Sequence, residues 1–373
     1  MLTQLPTAPG FSHLVDKSIW HEAPFLIFFR YFSCDYTKWQ FPRIFWYILY
    51  ISMRTVVGVL RGGPSREYDV SLKTGASALQ ALNREKYDPR DIFIDREGTW
   101  HMHGMAMPPE KALRGVDVAF NAMHGEYGED GEVQRVLNTL AIPYTGSNAH
   151  ASSLAFNKAR TKQIVKKLGI RTPRALLIER EDVKGDMEEL AYNIFRTFPH
   201  PAIVKPATGG SSIGVVIVSN FHTLAWALEE VFKISSQALV EEYIRGREAT
   251  VGVIDNFRNE KIYSLFPIEI IPQGRPFFDY DAKYGGRSVQ RVPGHFTYDE
   301  KVQLMNMAKT VHDALGLHHY SRSDFIVSRR GIYFLEVNTL PGLTAESLFP
   351  KGLEAVGSKL PDFLEHVIHL ARR

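Results

Sequence analysis

Cysteine is almost absent: the 373 residues contain one, Cys34. That excludes a disulfide framework and any cysteine-cluster metal site, and it suits a reducing cytoplasm. Cys34 itself reads as inert. An excess of either charge is missing too. The formal net charge is only +3, with Lys and Arg scattered, so no electrostatic footprint for nucleic acid stands out. No GxxxxGK[ST] occurs anywhere and no GxGxxG follows the first predicted strand, which excludes a Walker loop and disfavours a dehydrogenase. Internal repeats and low-complexity tracts are lacking. What remains, 45% hydrophobic and 23% charged residues, is the composition of an ordinary globular protein of about two to three domain lengths.

Residues 1–52 differ from the rest. Phe25-Leu26-Ile27-Phe28-Phe29 and the stretch 41–50 are aromatic-rich without helical or alternating periodicity. Arg30, Asp35, Lys38 and Arg43 interrupt them, so neither reaches the roughly 18 to 20 apolar residues of a membrane span. No small-residue cleavage site of the signal-peptide type is present. The segment reads as a dispensable extension, or as a start placed ahead of a true one at Met53; a membrane-surface anchor is the alternative.

From Met53 the pattern becomes regular. A buried strand over 55–60, a turn over 61–65 and a helix over 70–82 make a β-loop-α unit, and further strands are predicted over 90–94 and 116–121, then a helix over 131–140. This is a parallel, three-layer domain over 53–148. A second unit, 149–245, opens with a helix over 151–168 and has strands over 175–178 and 201–205, the latter joined through Thr208-Gly209-Gly210-Ser211-Ser212-Ile213-Gly214 to a strand over 215–218. A third, 246–373, has strands over 249–254, 263–271, 324–327 and 332–338, and helices over 299–315 and at the C-terminus.

Three segments carry candidate chemistry. Residues 208–214 offer three glycines, two serine hydroxyls and unhindered backbone N–H groups next to Lys205, the composition of a phosphate cradle or of a solvent-exposed hairpin. Arg322, Asp324, Glu336 and Asn338 form the second segment. Residues two apart in a strand share a face. With Arg329-Arg330-Gly331 as a three-residue hairpin loop, Asp324 falls opposite Glu336 and Arg322 opposite Asn338. Two carboxylates and an amide oxygen suit Mg²⁺ held together with phosphates; a surface salt-bridge cluster is the alternative. The following Asn338-Thr339-Leu340-Pro341-Gly342 turn has backbone N–H groups suited to an oxyanion. The third is His124-Gly125-Glu126-Tyr127-Gly128-Glu129-Asp130-Gly131, at the carboxyl end of a strand, where α/β sheets open into a crevice. Its acidic residues are expected to cap the next helix. His101, His103, His318 and His319 lack a third ligand at metal spacing and read as exposed or packed residues. Glu241 and Glu242, adjacent in a strand, point to opposite faces.

From Val56 onward the chain resembles the D-alanine–D-alanine ligases of the ATP-grasp superfamily, through GGPSREYDVSL, HGEYGEDG, FNKARTK, IVKPATGGSSIG, VEEYIRGRE, FDYDAKY, SRSDF and EVNTLPGLTAESLFP in unbroken order. The resemblance implies an α/β architecture: an N-terminal Rossmann-like (pre-ATP-grasp) domain followed by a two-subdomain ATP-grasp fold. It also implies a cytoplasmic enzyme, expected as a homodimer, that uses ATP and two Mg²⁺ ions, or Mn²⁺, to join two D-alanines through an acylphosphate for peptidoglycan synthesis. In that family's pattern Lys158 and Lys205 would hold the α- and β-phosphates and Lys283 the γ-phosphate, with Ser211 and Ser212 in the cradle. Glu241, Tyr243, Ile244 and Glu248 would hold adenine and ribose, and Asp324, Glu336 and Asn338 the metals. Glu67 and His124 would orient the first substrate, and Ser211 and Tyr284 would link the loops over the site. Arg322 and the Gly342 N–H would stabilise the tetrahedral oxyanion, and Ser347 and Leu348 would grip the second carboxylate.

Phenylalanine at the position of Tyr284 tends in that family to accompany D-lactate use, so tyrosine favours an amine nucleophile. After it, residues 285–292 carry glycines and basic residues where relatives often have acidic or polar ones. The rival readings are the same chemistry with D-lactate or D-serine, another ATP-grasp carboxylate–amine ligase, and a nucleotide-binding module without catalysis. The last would keep the lysines and lose Arg322 or the metal ligands.

Overall fold

Val57, Val59 and Leu60 are fully buried because their strand, β1 (Thr55–Gly62), lies inside a sheet covered on both faces. β1 pairs in parallel with β2 (Tyr87–Ile94) on one side and with β5 (Val118–Asn121) on the other. The computed structural model describes residues 54–183, 185–210, 214–272 and 288–373. Within this sheet a short hairpin, β3 (Trp100–Met102) and β4 (Met105–Ala106), adds antiparallel strands to the edge of β2, giving the order β4-β3-β2-β1-β5. The sheet is therefore mixed rather than wholly parallel. Strands this short leave no period to read, and the turn signal is His103-Gly104, both with positive φ, as a two-residue hairpin loop demands. One face of the sheet packs on the helix Glu132–Thr139 through Val133 and Leu137. The other face packs on the helix Tyr68–Ala81 and, from the far end of the chain, on Phe363, Leu364, Val367 and Ile368 of the helix Leu360–Ala371.

The second sheet is antiparallel: β6 (Ala175–Glu179), β7 (Ala202–Pro206), β8 (Val216–Val218) and β9 (Gln237–Glu242), in the order β6-β9-β7-β8. The helices Met187–Thr197 and Phe221–Phe232 bury one of its faces. The third sheet, also antiparallel, contains β10 (Arg247–Phe257), β11 (Glu260–Ser264), β12 (Ile268–Pro272), β13 (Ser288–Arg291), β14 (Tyr320–Ser328) and β15 (Gly331–Asn338). Its order is β13-β12-β10-β14-β15, with β11 also on β10. The helix Tyr298–Ala314 backs it and starts with a reciprocal capping box between Thr297 and Glu300.

Two sequence expectations are corrected. The single strand over 263–271 is two strands, because Pro267 has no N–H to give to a ladder; its carbonyl instead accepts from Gly294 N at 2.8 Å. The single helix over 151–168 is also two, Ala149–Phe156 and Lys158–Lys167. Asn157 between them is extended (φ −94, ψ 103), and its side chain caps the second helix by accepting from Arg160 N at 3.0 Å. Lys158 N donates to Ala207 O at 2.9 Å, and Asn157 bridges to Thr208. The break thus sets Lys158 at a helix start beside the glycine-rich loop. Both helices pack through Ala151, Ala155 and Val165 into the core of the third sheet, with Phe325 and Phe334. Among the described residues no helix is long and apolar enough to cross a membrane.

Candidate active site

A cleft of about 1110 Å³, open mouth included, runs between the second and third sheets. Lys158, Lys205, Thr208, Gly209 and Gly210 line it from one side and Asp324 and Glu336 from the other. The loop after Lys205 joins β7 to the antiparallel β8, the strand–loop–strand arrangement expected from its composition.

The hairpin of β14 and β15 pairs Arg322 with Asn338 and Asp324 with Glu336, as the alternation predicts. The turn differs. Ser328 pairs with Gly331 and Val327 with Ile332, so the loop has two residues, and a bulge at Leu335 restores the pairing further in. A bulge re-aims side chains locally, and this one returns both carboxylates to a single face. Asp324 is heavily partnered: Arg322 Nε and Nη2 donate to its two oxygens at 3.0 Å each, Thr250 Oγ1 donates at 2.5 Å, and Asn338 Nδ2 lies at 3.4 Å. Lys158 Nζ lies 3.5 Å from Glu336. Among the described residues no group of three or more His, Cys, Asp or Glu could hold a metal. Two carboxylates and an amide oxygen, facing a phosphate-type loop, fit Mg²⁺, whose remaining ligands are commonly phosphates and water.

Lysines crowd one carboxylate. Glu241, at 1% exposure, pairs through one oxygen with Lys205 at 2.9 Å and through the other with Lys162. Burial pulls Lys205 down, but the charges of Glu241 and Glu336 outweigh it and the net shift is upward. Burial lowers Lys162 to about 7 against the pull of Glu241. Burial would raise Glu241, but the two ammonium groups hold it below its ordinary value, so the anion stays ionised. Lys158 Nζ donates to Gly209 O. Lys162 lies one helical turn after Lys158 in FNKARTK; that spacing was legible, and its importance was not. Tyr243 and Ile244 follow the end of β9, and Glu248 lies on β10; all three line the same cleft. Glu242 also lines the cleft and pairs with Arg330 at 2.7 Å.

The first domain closes the other end. His124 is 4% exposed, lies 2.8 Å from Thr74 Oγ1 through Nε2, and is lowered to about 4, chiefly by burial, so the ring is neutral near pH 7. Glu67 is 6% exposed at the start of the helix Tyr68–Ala81. Two glycines lie close around it: a Cβ on Gly210 would stand 2.5 Å from Glu67 Oε2, and a Cβ on Gly125, whose φ of +72 itself favours glycine, would stand 2.3 Å from Ser65 Oγ. The glycine-rich loop therefore comes down onto Glu67.

Of the acidic residues expected to cap the next helix, Asp130 does so, accepting from Glu132 N at 2.9 Å. Glu129 does not. Its oxygens accept from Gly125 N at 2.9 Å and Leu340 N at 3.1 Å, tying the histidine loop to the turn after β15, and burial pushes it up to about 6. A buried anion next to two free N–H groups is drawn to them more strongly than to a solvated helix end.

In the turn, a Cβ on Gly342 would meet Ser347 Oγ at 2.9 Å, and Ser347 Oγ lies 2.8 Å from Thr344 Oγ1. Ser347 stands at the N-terminus of the helix Leu348–Ala355, whose open N–H groups suit a carboxylate, and Leu348 is buried. Ser211, Ser212, Lys283 and Tyr284 lie outside the described residues. Among the remaining histidines, His101 lies 2.8 Å from Asp95 and His319 Nδ1 accepts from Gly146 N at 3.0 Å, while His103 and His318 are exposed.

Two antiparallel sheets facing each other across a glycine-rich, lysine-lined cleft, behind a Rossmann-like domain, define an ATP-grasp enzyme. The family model described as D-ala D-ala ligase N-terminus matches residues 56–109 and 105–147, and that described as D-ala D-ala ligase C-terminus matches 164–369. The D-alanine–D-alanine ligase of Pelotomaculum thermopropionicum is 38% identical over 322 residues, 86% of this chain and 97% of that protein; that of Syntrophotalea carbinolica is 40% identical over 314, 84% and 94%. Among solved structures, the D-alanine-D-alanine ligase of Coxiella burnetii superposes with a TM-score of 0.74 at 25% identity, covering 86% of this chain and 94% of that one. The VanG D-Ala:D-Ser ligase of Enterococcus faecalis gives 0.73 at 28%, covering 85% and 99%. The chain belongs to the D-alanine–D-alanine ligase family.

The matches to both family models lie within residues 56–369. A chain beginning at Met53 is accordingly expected to fold and to ligate at the rate of the full chain. Thermal melting by circular dichroism with an activity assay checks this; aggregation or inactivity of the shortened chain would refute it.

Proposed function

We propose that this protein joins two D-alanines into D-alanyl-D-alanine at the cost of ATP, for peptidoglycan precursor synthesis, and works in the cytoplasm as a homodimer. The observation that carries the reading is the register of β14 and β15, which aligns Arg322, Asp324, Glu336 and Asn338 on one face across from Lys158 and Lys205. Adenine and ribose lie along Glu241, Tyr243, Ile244 and Glu248. The triphosphate runs along Lys158 and Lys205 under the Thr208–Gly214 loop with Ser211 and Ser212, and Lys283 reaches the γ-phosphate. Asp324, Glu336 and Asn338 would hold two Mg²⁺ ions, or Mn²⁺, which would supply neutralisation of phosphate charge.

Glu67 and neutral His124 orient the first D-alanine so that its carboxylate oxygen bonds to the γ-phosphorus as the bond to ADP breaks. The resulting acylphosphate turns a poor leaving group into a good one. The neutral amine of the second D-alanine, its carboxylate at Ser347 and Leu348, then attacks the acyl carbon. Arg322 and the Gly342 N–H stabilise the oxyanion, which collapses to the peptide and inorganic phosphate as the amine loses its proton.

ADP release over a panel of D-amino and D-hydroxy acids tests the reading. D-alanine alone is expected to drive the fastest release; no response to D-alanine, or a faster response to an unrelated acid, would contradict it. Tyr284 bears on the second substrate, since a hydroxyl that ties the lid to Ser211 and Glu67 keeps water from the acylphosphate. Tyr284→Phe is expected to raise the share of D-alanyl-D-lactate in mixed reactions. An unchanged product ratio would remove Tyr284 from that role.

A further inference from the structure

Lys162 is buried with its side chain 3% exposed, and it lies behind Glu241 rather than among the residues that line the cleft. It cannot touch a ligand there. Its ammonium nevertheless pairs with the carboxylate that also pairs with Lys205 at 2.9 Å, and Lys205 does line the cleft. An ionised lysine this deep is costly, and a well-packed apolar side chain of the same volume commonly serves stability as well or better. The feature asks for a role other than packing.

The charges supply one. Glu241 carries a single negative charge between two positive ones. Were Lys162 absent, Glu241 would neutralise Lys205, and the cleft would present a closed ion pair to an incoming phosphate. With Lys162 present, the three groups sum to one positive charge, and the surplus appears at the one ammonium that faces the cleft. Resting on the nucleotide reading above, we propose that Lys162 is an electrostatic positioning residue: it occupies Glu241 from behind and so frees the charge of Lys205 for the phosphates of the nucleotide. Burial favours the neutral amine and brings Lys162 down to about 7; the contact with the Glu241 carboxylate is what opposes that loss and favours the ammonium.

The role predicts a split between phosphate and nucleoside affinity that loss of structure alone would not give. Displacement of a fluorescent nucleotide analogue by ADP and by adenosine reads it directly on the full chain. In Lys162→Met, ADP is expected to bind about ten- to a hundredfold more weakly, the range for losing a hydrogen bond to a charged group, while adenosine changes little. Lys162→Arg keeps the charge and is expected to keep the wild-type ratio of ADP to adenosine affinity. The double variant Lys162→Met with Glu241→Gln removes one charge of each sign, frees Lys205 from the Glu241 carboxylate, and is expected to restore that ratio even if adenosine itself binds less well. Thermal melting separates misfolding from weak binding; if Lys162→Met does not fold, Lys162→Arg and the double variant decide. Parallel loss of ADP and adenosine in Lys162→Met, no loss of either, or a ratio that neither Lys162→Arg nor the double variant retains would overturn the proposal. Failure of the unmodified protein to bind ADP would instead bring down the nucleotide reading on which it stands.

Discussion

Arg322→Ala is expected to lower turnover by about 10²- to 10³-fold, the usual cost of removing one oxyanion donor, while ADP affinity changes by less than about threefold. The split follows from geometry. Arg322 is anchored by two 3.0 Å hydrogen bonds to Asp324 on the face shared with Glu336 and Asn338, and that strand runs beside the turn that carries Gly342. A guanidinium fixed in this way costs no reorganisation when negative charge develops on the acyl oxygen. Lysine at the same place would keep the charge and lose the fork, so Arg322→Lys is expected to recover only part of the loss. Steady-state kinetics together with equilibrium ADP binding makes the check; near-normal turnover with collapsed nucleotide binding would reassign Arg322 to the phosphates.

The second large effect is expected at the carboxylates. Asp324→Asn and Glu336→Gln should each reduce activity by about 10³-fold or more, since losing several kcal/mol of charge stabilisation corresponds to that factor. Chelation of divalent metal from the unmodified enzyme should abolish activity, and Mg²⁺ should restore it. Asp324→Asn also leaves Arg322, whose side chain is 13% exposed, without its bidentate anion, so some loss of stability is expected there as well. Glu336→Gln, whose Lys158 contact is a looser 3.5 Å, should melt closer to the wild type. Metal-dependent stabilisation of the ADP complex, read as a shift in melting temperature, separates the two causes. Full activity of either variant without added metal would exclude these residues as ligands.

Much of the site was legible because its signals are local. Alternation along two strands is enough to put Asp324 opposite Glu336, and it survived a wrong turn because the extra residue assigned to the loop is spent instead at the Leu335 bulge. A bulge and a one-residue-longer loop shift the register equally, so the sequence could not distinguish them. The break at Asn157 was missed although its signal is local. An asparagine three residues before Arg160 is an ordinary helix-cap signal, masked here by apolar residues that continue the helical period on both sides. Glu129 was not readable, because its partner Leu340 N is more than two hundred residues away and arrives only when the first and third sheets come together. The same holds for Lys162: its spacing from Lys158 is local, but the significance of its burial depends on β9 lying across from it. The return of the helix Leu360–Ala371 to the first sheet is likewise a tertiary choice, since an amphipathic helix announces that it will be covered and not by what.

The central claim, formation of a peptide bond between two D-alanines, meets its most direct test in one reaction. The unmodified enzyme is supplied with ATP, Mg²⁺ and equal concentrations of D-alanine and D-lactate near neutral pH, and its products are separated by chromatography. D-alanyl-D-alanine as the dominant product, formed in step with ADP, is the expected result. A majority of the D-alanyl-D-lactate depsipeptide, or ADP released with no ligated product, would contradict it.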